Sequence, residues 1–426
     1  MLTPVHVERA RPCNNPSMTG IGADTLGIYV SIPFCRSKCT YCNFASGVYP
    51  AADHERYVQR VIDDMTAAPM WAAEIEADLP RRVDTVYLGG GTPSLLAPDL
   101  LLKLFAALRA QFQVDTDAEI TVECAPGQLA HATPDALAEA GVNRVSLGVQ
   151  SFVDDEAHAS GRLHDRATVE NDLLRLRAAG ITNLNVDLIA GLAGQTLASW
   201  EESLEALIRS GVGHASVYML EVDEDSRLGR EVLKGGSRYR AALVPSDETI
   251  AEMYEQAIER LDQARLHQYE ISNFSRLGLE SRHNIRYWQR RPYLGLGLDA
   301  SSMLRRTPLG VSTILRATTT DDLKRYLSGP AITETACFTR ERQHEEAWFL
   351  GLRMNAGVDV AALKLEFGEK VVEPAVETVE RLVDDRLLTF DGKRVRLTAR
   401  GRLISNEVFQ EFLTIAGERA STIAGG

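Results

Sequence analysis

A repeated alternation governs what this chain can fold into. From Gly27 to about Leu220, short runs rich in β-branched residues are each followed by a longer amphipathic stretch. The strand-like runs are Ile28–Ile32, Thr85–Leu88, Glu119–Glu123, Arg144–Val149, Asn185–Ile189 and His214–Leu220. Several are nearly all apolar, as strands buried on both faces should be. Helical patterns lie between them: Asp53–Asp78, interrupted at Pro69, then Pro98–Gln111, Pro134–Ala140, Ala167–Ala179 and Leu197–Ser210. Strand-then-helix units in succession predict an α/β fold with a parallel sheet and helical crossovers. Periodicity alone leaves open whether that sheet is flat or curved into a barrel.

With 426 residues the chain is long enough for two or three domains. Its formal net charge of −13 argues against sequence-independent binding to nucleic acid, which rests on clustered Lys and Arg neutralising phosphates. No apolar run reaches the ~20 residues needed to span a bilayer. Residues 1–26 carry Arg9, Arg11 and Pro12 but no apolar core, and read as a loose N-terminal tail, not a signal peptide. The expectation is a cytoplasmic protein.

The first strand-like run leads into Cys35-Arg36-Ser37-Lys38-Cys39-Thr40-Tyr41-Cys42, which holds three of the chain's six cysteines. Thiolates at this spacing can wrap one face of an iron–sulfur cube and leave the fourth iron without a protein ligand. Structural zinc wants four ligands, usually as two separated pairs, and no second Cys/His pair stands at metal spacing. A disulfide has little to offer a chain of this size with no sign of secretion. The Cys-x3-Cys-x2-Cys loop, with Tyr41 as the aromatic before its last cysteine, resembles the signature of the radical S-adenosylmethionine superfamily. That resemblance implies a partial (β/α)6 barrel, with Cys35, Cys39 and Cys42 holding a [4Fe–4S] cluster whose free iron takes S-adenosylmethionine. An oxygen-sensitive cluster also fits a reducing compartment.

In such barrels chemistry sits at the C-terminal strand ends. The second run ends in Gly89-Gly90-Gly91-Thr92, and consecutive glycines let backbone approach a ligand closely. The resemblance assigns this segment to the amino group of the methionine moiety, with Tyr29 and Tyr41 also beside the cofactor. The third run ends in Glu123, a carboxylate that is costly in a barrel mouth unless paired or bonded to a ligand. Gln150, ending the fourth run, matches a family position whose amide can reach ribose or adenine. Arg162 follows in Gly161-Arg162-Leu163-His164, its planar fork suited to a carboxylate. Asp187 lies in an apolar run and needs a partner, either a ribose hydroxyl or Arg162. The family's usual asparagine, tyrosine and proline are replaced here by Ala125, Ala190 and Ala193. The acidic loop after the sixth run, Asp223-Glu224-Asp225-Ser226-Arg227-Leu228-Gly229, reads either as the rim of the mouth or as a solvated charge run.

Beyond the barrel, Tyr269-Glu270-Ile271-Ser272-Asn273-Phe274-Ser275, Ser281-Arg282-His283-Asn284-Ile285-Arg286-Tyr287-Trp288 and Tyr293-Leu294-Gly295-Leu296-Gly297 narrow the resemblance. They look like the branch that contains oxygen-independent coproporphyrinogen oxidase and the HemW-type heme chaperones, over about Gly27 to Leu413. The oxidase carries a fourth cysteine two places after the third, where this chain has Phe44. The stretch from His283 to Trp288 fits the chaperone pattern associated with heme. Imidazole is the usual axial ligand of heme iron, and flanking aromatics offer flat apolar surface. A packed core histidine is the alternative. Ser31 and Ser301 stand where relatives tend to have histidines, which weakens any porphyrin contact in that neighbourhood.

The domain organisation expected is residues 27–260 for the barrel, 261–338 for a post-barrel segment and 339–420 for a C-terminal winged-helix-like unit. In that unit Leu350–Met354, Val358–Phe367, Ala375–Leu388 and Val395–Val408 read as helices around a small hairpin at Asp391-Gly392. Lacking a run of base-reaching polar residues, it reads as a packing module and not as a DNA reader. The function implied is a heme-binding chaperone that passes heme to client apo-hemoproteins, membrane-associated ones included. Homodimerisation is compatible with this, and a one-electron donor is needed if S-adenosylmethionine is turned over. The runner-up is coproporphyrinogen III decarboxylation or another radical alkylation.

Overall fold

The computed structural model describes residues 25–306 and 313–413. The tail 1–24, with Cys13, and the end of the C-terminal unit beyond 413 lie outside them. Six strands, Thr25–Ile32, Arg82–Gly90, Gln113–Cys124, Arg144–Gln150, Asn183–Ala190 and His214–Met219, lie side by side in chain order. Every neighbouring pair among them is parallel. Helices Ala52–Glu74, Pro98–Gln111, Thr133–Glu139, Arg166–Ala178 and Leu197–Ser210 make the crossovers. This is the partial (β/α)6 arrangement. The first helix runs through Pro69 and stops at Glu74, where the sequence suggested a break and a later end.

The sheet does not stop after six strands. Tyr293–Gly297 joins it parallel to Thr25–Ile32, and antiparallel Ser301–Arg306, Thr313–Thr319 and Ile332–Phe338 follow outward. On the other side Asn273–Ser275 and His267–Gln268 add antiparallel pairing. The described strands of the segment 261–338 therefore extend the barrel sheet. The strand that joins them to the barrel, Tyr293–Gly297, is hard to read from sequence because Tyr-Leu-Gly-Leu-Gly has no β-branched residue.

The six strands are not apolar on both faces. Leu26, Ile28, Val30, Val86, Leu88, Val122, Val145, Leu147, Val186 and Val217 are buried toward the helices, against Tyr57, Val61, Leu104, Phe105, Leu173 and Trp200. The alternate residues, period two along each strand, form rows of hydrogen-bonding side chains on the concave face. One row runs Tyr29, Tyr87, Thr121, Arg144, Asn183. The next, nearer the strand C-termini, includes Glu123, Ser146, Asn185 and His214. Most of these side chains are buried, and Arg144 is only 2% exposed. Polar groups out of water must satisfy one another or a ligand, so the sequence places the chemistry inside the curve of the sheet.

The C-terminal unit has its own core around Trp348, Val372, Val379, Leu382 and Phe412, with Trp348 and Phe412 stacked at 5.0 Å. Helices Arg340–Arg353, Val360–Phe367 and Glu369–Asp384 precede a hairpin, Leu388–Phe390 with Arg394–Leu397, which pairs onward to Val358–Asp359. The hairpin turns at Asp391-Gly392. Its second strand occupies the start of the stretch read as a helix from Val395, and helix resumes at Ala399. Ile271 of the sheet segment belongs to this second core, and its N–H donates to Arg353 O at 3.1 Å.

Candidate functional site

The first two strand ends are laced together. Gly91 N–H donates to Ile32 O and Thr92 N–H to Phe34 O, both at 2.8 Å. Gly90 has φ +100°, a backbone state that side chains other than glycine rarely adopt. A Cβ on Gly91 would lie 2.8 Å from both Ile32 O and Phe34 O. The glycines thus let the second strand end press against the base of the cysteine loop. Cys35, Cys39 and Cys42 are free thiols on that loop. Burial pushes the Cys35 thiol up, countered by Ser46 and Thr92, and Thr92 Oγ1 lies 4.0 Å from its sulfur.

The loop is held from two other strand ends. Thr40 N–H donates to Ser160 O at 3.0 Å, and Leu228 N–H donates to Thr40 O at 2.8 Å. Arg227 donates to Lys38 O, and Asn43 to Asp223. The acidic stretch after the sixth strand therefore packs on the cysteine loop as its rim. Arg162 reaches Cys39 Sγ from Nη1 at 3.5 Å and donates to Gly148 O, while its Nε has no partner. Tyr41 lies beside the same pair, and burial followed by the Cys39 charge pushes its phenol well up. No three His, Cys, Asp or Glu side chains among the described residues are gathered to hold a single metal ion. A cube gives each thiolate its own iron, so it asks for no such convergence, whereas a lone zinc would.

Glu123 points into the concave face and accepts from Tyr87 Oη at 2.8 Å and Gly90 N–H at 3.1 Å. Burial, with Asp187 nearby, pushes its carboxyl up to about 7 in spite of those hydrogen bonds. Tyr29 stacks on Tyr87 with ring centroids 6.2 Å apart. Gln150 has φ +72° at a register shift between the fourth and fifth strands, which turns it out of the regular ladder. The model brings Cys35, Cys39, Cys42, Tyr41, Arg162 and Thr92 together at one loop, with Glu123, Tyr29 and the glycines beside it. Orphaned Arg162 Nε and the Glu123 carboxylate aimed into the lumen are a donor and an acceptor of the kind an amino-acid group requires, so these residues fit the cofactor.

Two expectations need correction. Asp187 is not partnered by Arg162; it accepts from Ser146 Oγ at 3.0 Å and from Asn185 Nδ2 at 2.7 Å. His283 does not present an imidazole to an open face. Only 1% exposed, it shares Nδ1 with Thr85 Oγ1 at 3.0 Å and Nε2 with Tyr287 Oη at 2.9 Å, and it stacks on Tyr87. Its helix, Arg282–Trp288, starts on Glu119, which accepts from the N–H groups of Arg282 and His283 at 2.9 Å. Arg286 is fully buried against Asp84 and Thr85. The motif closes the concave face below the strand ends.

Sequence reasoning passed over Ser146, Asn185, His214 and Tyr269, which the structure joins to Asp187. The alternation Arg144-Val-Ser146-Leu-Gly148 and Asn183-Leu-Asn185-Val-Asp187 carried that signal, since period-two polarity inside a buried strand marks a ligand-facing wall.

Residues 29–207 match the radical SAM superfamily and residues 338–404 match the HemN C-terminal domain. The chain is similar to proteins named heme chaperone HemW from Lactococcus lactis subsp. lactis, 33% identical over 90% of this chain and 96% of that one, and from Bacillus subtilis, 33% identical over 90% and 98%. In three dimensions it resembles coproporphyrinogen III oxidase (HemN) from Escherichia coli, with TM-score 0.76 and 24% identity, covering 91% of this chain and 90% of that one. Parallel sheet, cysteine loop and polar strand ends define a radical S-adenosylmethionine protein, a superfamily whose members hold a [4Fe–4S] cluster and S-adenosylmethionine. Within that superfamily the chain belongs to the HemW-like family.

Proposed function

We propose that this protein is a heme chaperone that binds a [4Fe–4S] cluster and S-adenosylmethionine and passes heme to client apo-hemoproteins. What carries the reading is the likeness to heme chaperones along 90% of the chain, through both the sheet and the C-terminal unit. Phe44, 61% exposed where the oxidase has a fourth thiol, favours it over the oxidase.

Cys35, Cys39 and Cys42 would hold the cluster, which when reduced can supply one electron to S-adenosylmethionine. Glu123 and the backbone of Gly89, Gly90 and Gly91 would take the ammonium group of that cofactor. Arg162 would take its carboxylate, with Nε as the spare donor. Asp187 and Gln150 would receive the ribose and adenine, and Tyr29, Tyr41 and Thr92 would close the sides. The polar concave face gives a porphyrin no apolar wall. Phe44 and Val48, just after the last cysteine, and Leu163, next to Arg162, are exposed apolar side chains, and heme would lie against them. No helix among the described residues is long and apolar enough to cross a membrane. We place the protein in the cytoplasm, where a reducing environment preserves the cluster, as a homodimer or monomer acting on clients that include membrane-associated ones.

The test uses anaerobically reconstituted full chain. Titration with heme should raise a Soret band that saturates, and incubation with coproporphyrinogen III, reductant and S-adenosylmethionine should yield no protoporphyrinogen. Efficient oxidation would replace the chaperone with the oxidase, and absence of heme binding would defeat it.

A further inference from the structure

Asp187 stands at the end of an ordered chain of hydrogen bonds whose polarity is set by its carboxylate, which accepts from its neighbours. Ser281 N–H, a backbone group that can only donate, gives its proton to Tyr269 Oη at 3.1 Å. His214 Nε2 lies 2.8 Å from the same hydroxyl and accepts its proton in the tautomer that the Asp187 end requires, since an Asn185 amide donating to the carboxylate turns its oxygen to His214 Nδ1. His214 therefore carries hydrogen on Nδ1, which faces Asn185 Oδ1 at 2.6 Å. Ser216 Oγ lies between the two ends of that amide, 3.3 Å from Oδ1 and 3.1 Å from Nδ2. With its oxygen engaged on that side, Asn185 turns its amide nitrogen to Asp187 Oδ1 at 2.7 Å and to Ser146 Oγ at 2.6 Å. Ser146 in turn donates to Asp187 Oδ2 at 3.0 Å.

Reversing any link would aim the Asn185 oxygen at a carboxylate. His214 and Asn185 are at most 2% exposed, so water does not offer a substitute partner. Burial pushes the His214 imidazole well below its ordinary range, which keeps it neutral and in one tautomer. We infer that His214 and Tyr269 are positioning residues which hold the Asp187 carboxylate in a single orientation, its free lone pairs turned to accept the two hydroxyl protons of a vicinal diol. This rests on reading Asp187 as the ribose-binding carboxylate. The segment that carries Tyr269 is fastened to the C-terminal unit, since Asn355 N–H donates to Tyr269 O at 3.0 Å and Asn355 Nδ2 to Gln268 O at 2.7 Å.

The test compares binding of S-adenosylmethionine and of its 2′,3′-dideoxyribose analogue to the reconstituted full chain by calorimetry. Asp187→Asn examines the underlying reading, and should bring the two ligands to equal affinity. Tyr269→Phe removes one oxygen, and His214→Phe removes both ring nitrogens. Each should weaken S-adenosylmethionine about five- to tenfold, the worth of one to two oriented hydrogen bonds, and leave the analogue unchanged. His214→Asn, whose amide can donate from the place of Nδ1, should recover most of the loss. A purely structural role would weaken both ligands alike, and that outcome overturns the inference. So does full discrimination in Tyr269→Phe and His214→Phe when Asp187→Asn has lost it. If Asp187→Asn keeps the discrimination, the ribose reading itself falls.

Discussion

His283→Ala separates a structural histidine from a heme ligand, and the structure sets the size of the effect. The substitution empties a fully enclosed site between Tyr87, Thr85 and Tyr287. Thr85 Oγ1 keeps Arg286 Nε at 3.2 Å, whereas the Tyr287 hydroxyl keeps none of its described hydrogen bonds. A cavity of this kind costs about 2–3 kcal/mol, and one orphaned buried hydroxyl about 1–2 kcal/mol more, giving about 3–5 kcal/mol at pH 7. The loss must also depend on pH. Burial, then the Arg286 guanidinium, push the imidazole down to about 3. Below pH 6.5 the unfolded chain takes up a proton there that the folded chain refuses, so the wild type loses stability as pH falls. The alanine variant has no such proton to take up. Its deficit should therefore shrink by about 2 kcal/mol between pH 6.5 and pH 5.

Urea denaturation of both proteins at pH 7 and pH 5, followed by far-ultraviolet circular dichroism, measures the two differences. A heme titration of the same samples should give an unchanged Soret band. The reasoning is refuted if His283→Ala unfolds at the wild-type urea concentration at pH 7 while its Soret band moves or disappears. That pair of results would make the imidazole a ligand that the fold does not need.

Gly91→Ala would set a methyl 2.8 Å from two backbone oxygens of the loop base, so the purified variant should hold much less iron and sulfide than wild type with its circular dichroism retained. Asp84→Asn leaves the buried Arg286 and the nearby Arg291 without their carboxylate, and should cost about 3–5 kcal/mol in urea denaturation. Glu123 must give up its proton to take an ammonium, so wild-type affinity for S-adenosylmethionine should fall about tenfold per pH unit below about 7. Tyr87, Asp187 and Arg144 face Glu123 and are the same in Glu123→Gln, so a pH slope that survives in that variant belongs to one of them.

The six parallel strands and their helices could be read because their outward residues are apolar at close spacing and the stretches between them are amphipathic. The strand ends could be read because Gly90, Glu123 and Arg162 are each awkward without a ligand. The rest depends on register. Nothing local says that Tyr293–Gly297 lies beside Thr25–Ile32, so the sheet's extension read as a motif. Nothing local says that His283 meets Thr85 in the middle of a strand and not at its end. A histidine among aromatics looks the same in a ligand site and in a plug, and only the position of its partner along the strand tells them apart.

That distinction bears on what the likeness to coproporphyrinogen III oxidase carries over to this chain. The likeness to coproporphyrinogen III oxidase covers both units of the chain and concerns the scaffold alone. Scaffold residues such as His283, Arg286 and Glu119 close the lower part of the sheet and would serve either activity equally well. What differs must lie where side chains meet a porphyrin, above the strand ends. Here Phe44, Val48 and Leu163 are exposed, and Asn43 donates to Asp223 at the surface. An enzyme that oxidises a porphyrinogen has to bring it under the rim to the cofactor, so it needs polar or cationic groups facing inward to seat the carboxylates. A carrier needs the opposite, a flat apolar surface facing outward that a client can reach. In this chain Phe44, Val48 and Leu163 are exposed to solvent, and under the proposed function such outward apolar groups suit release of a bound macrocycle better than its enclosure.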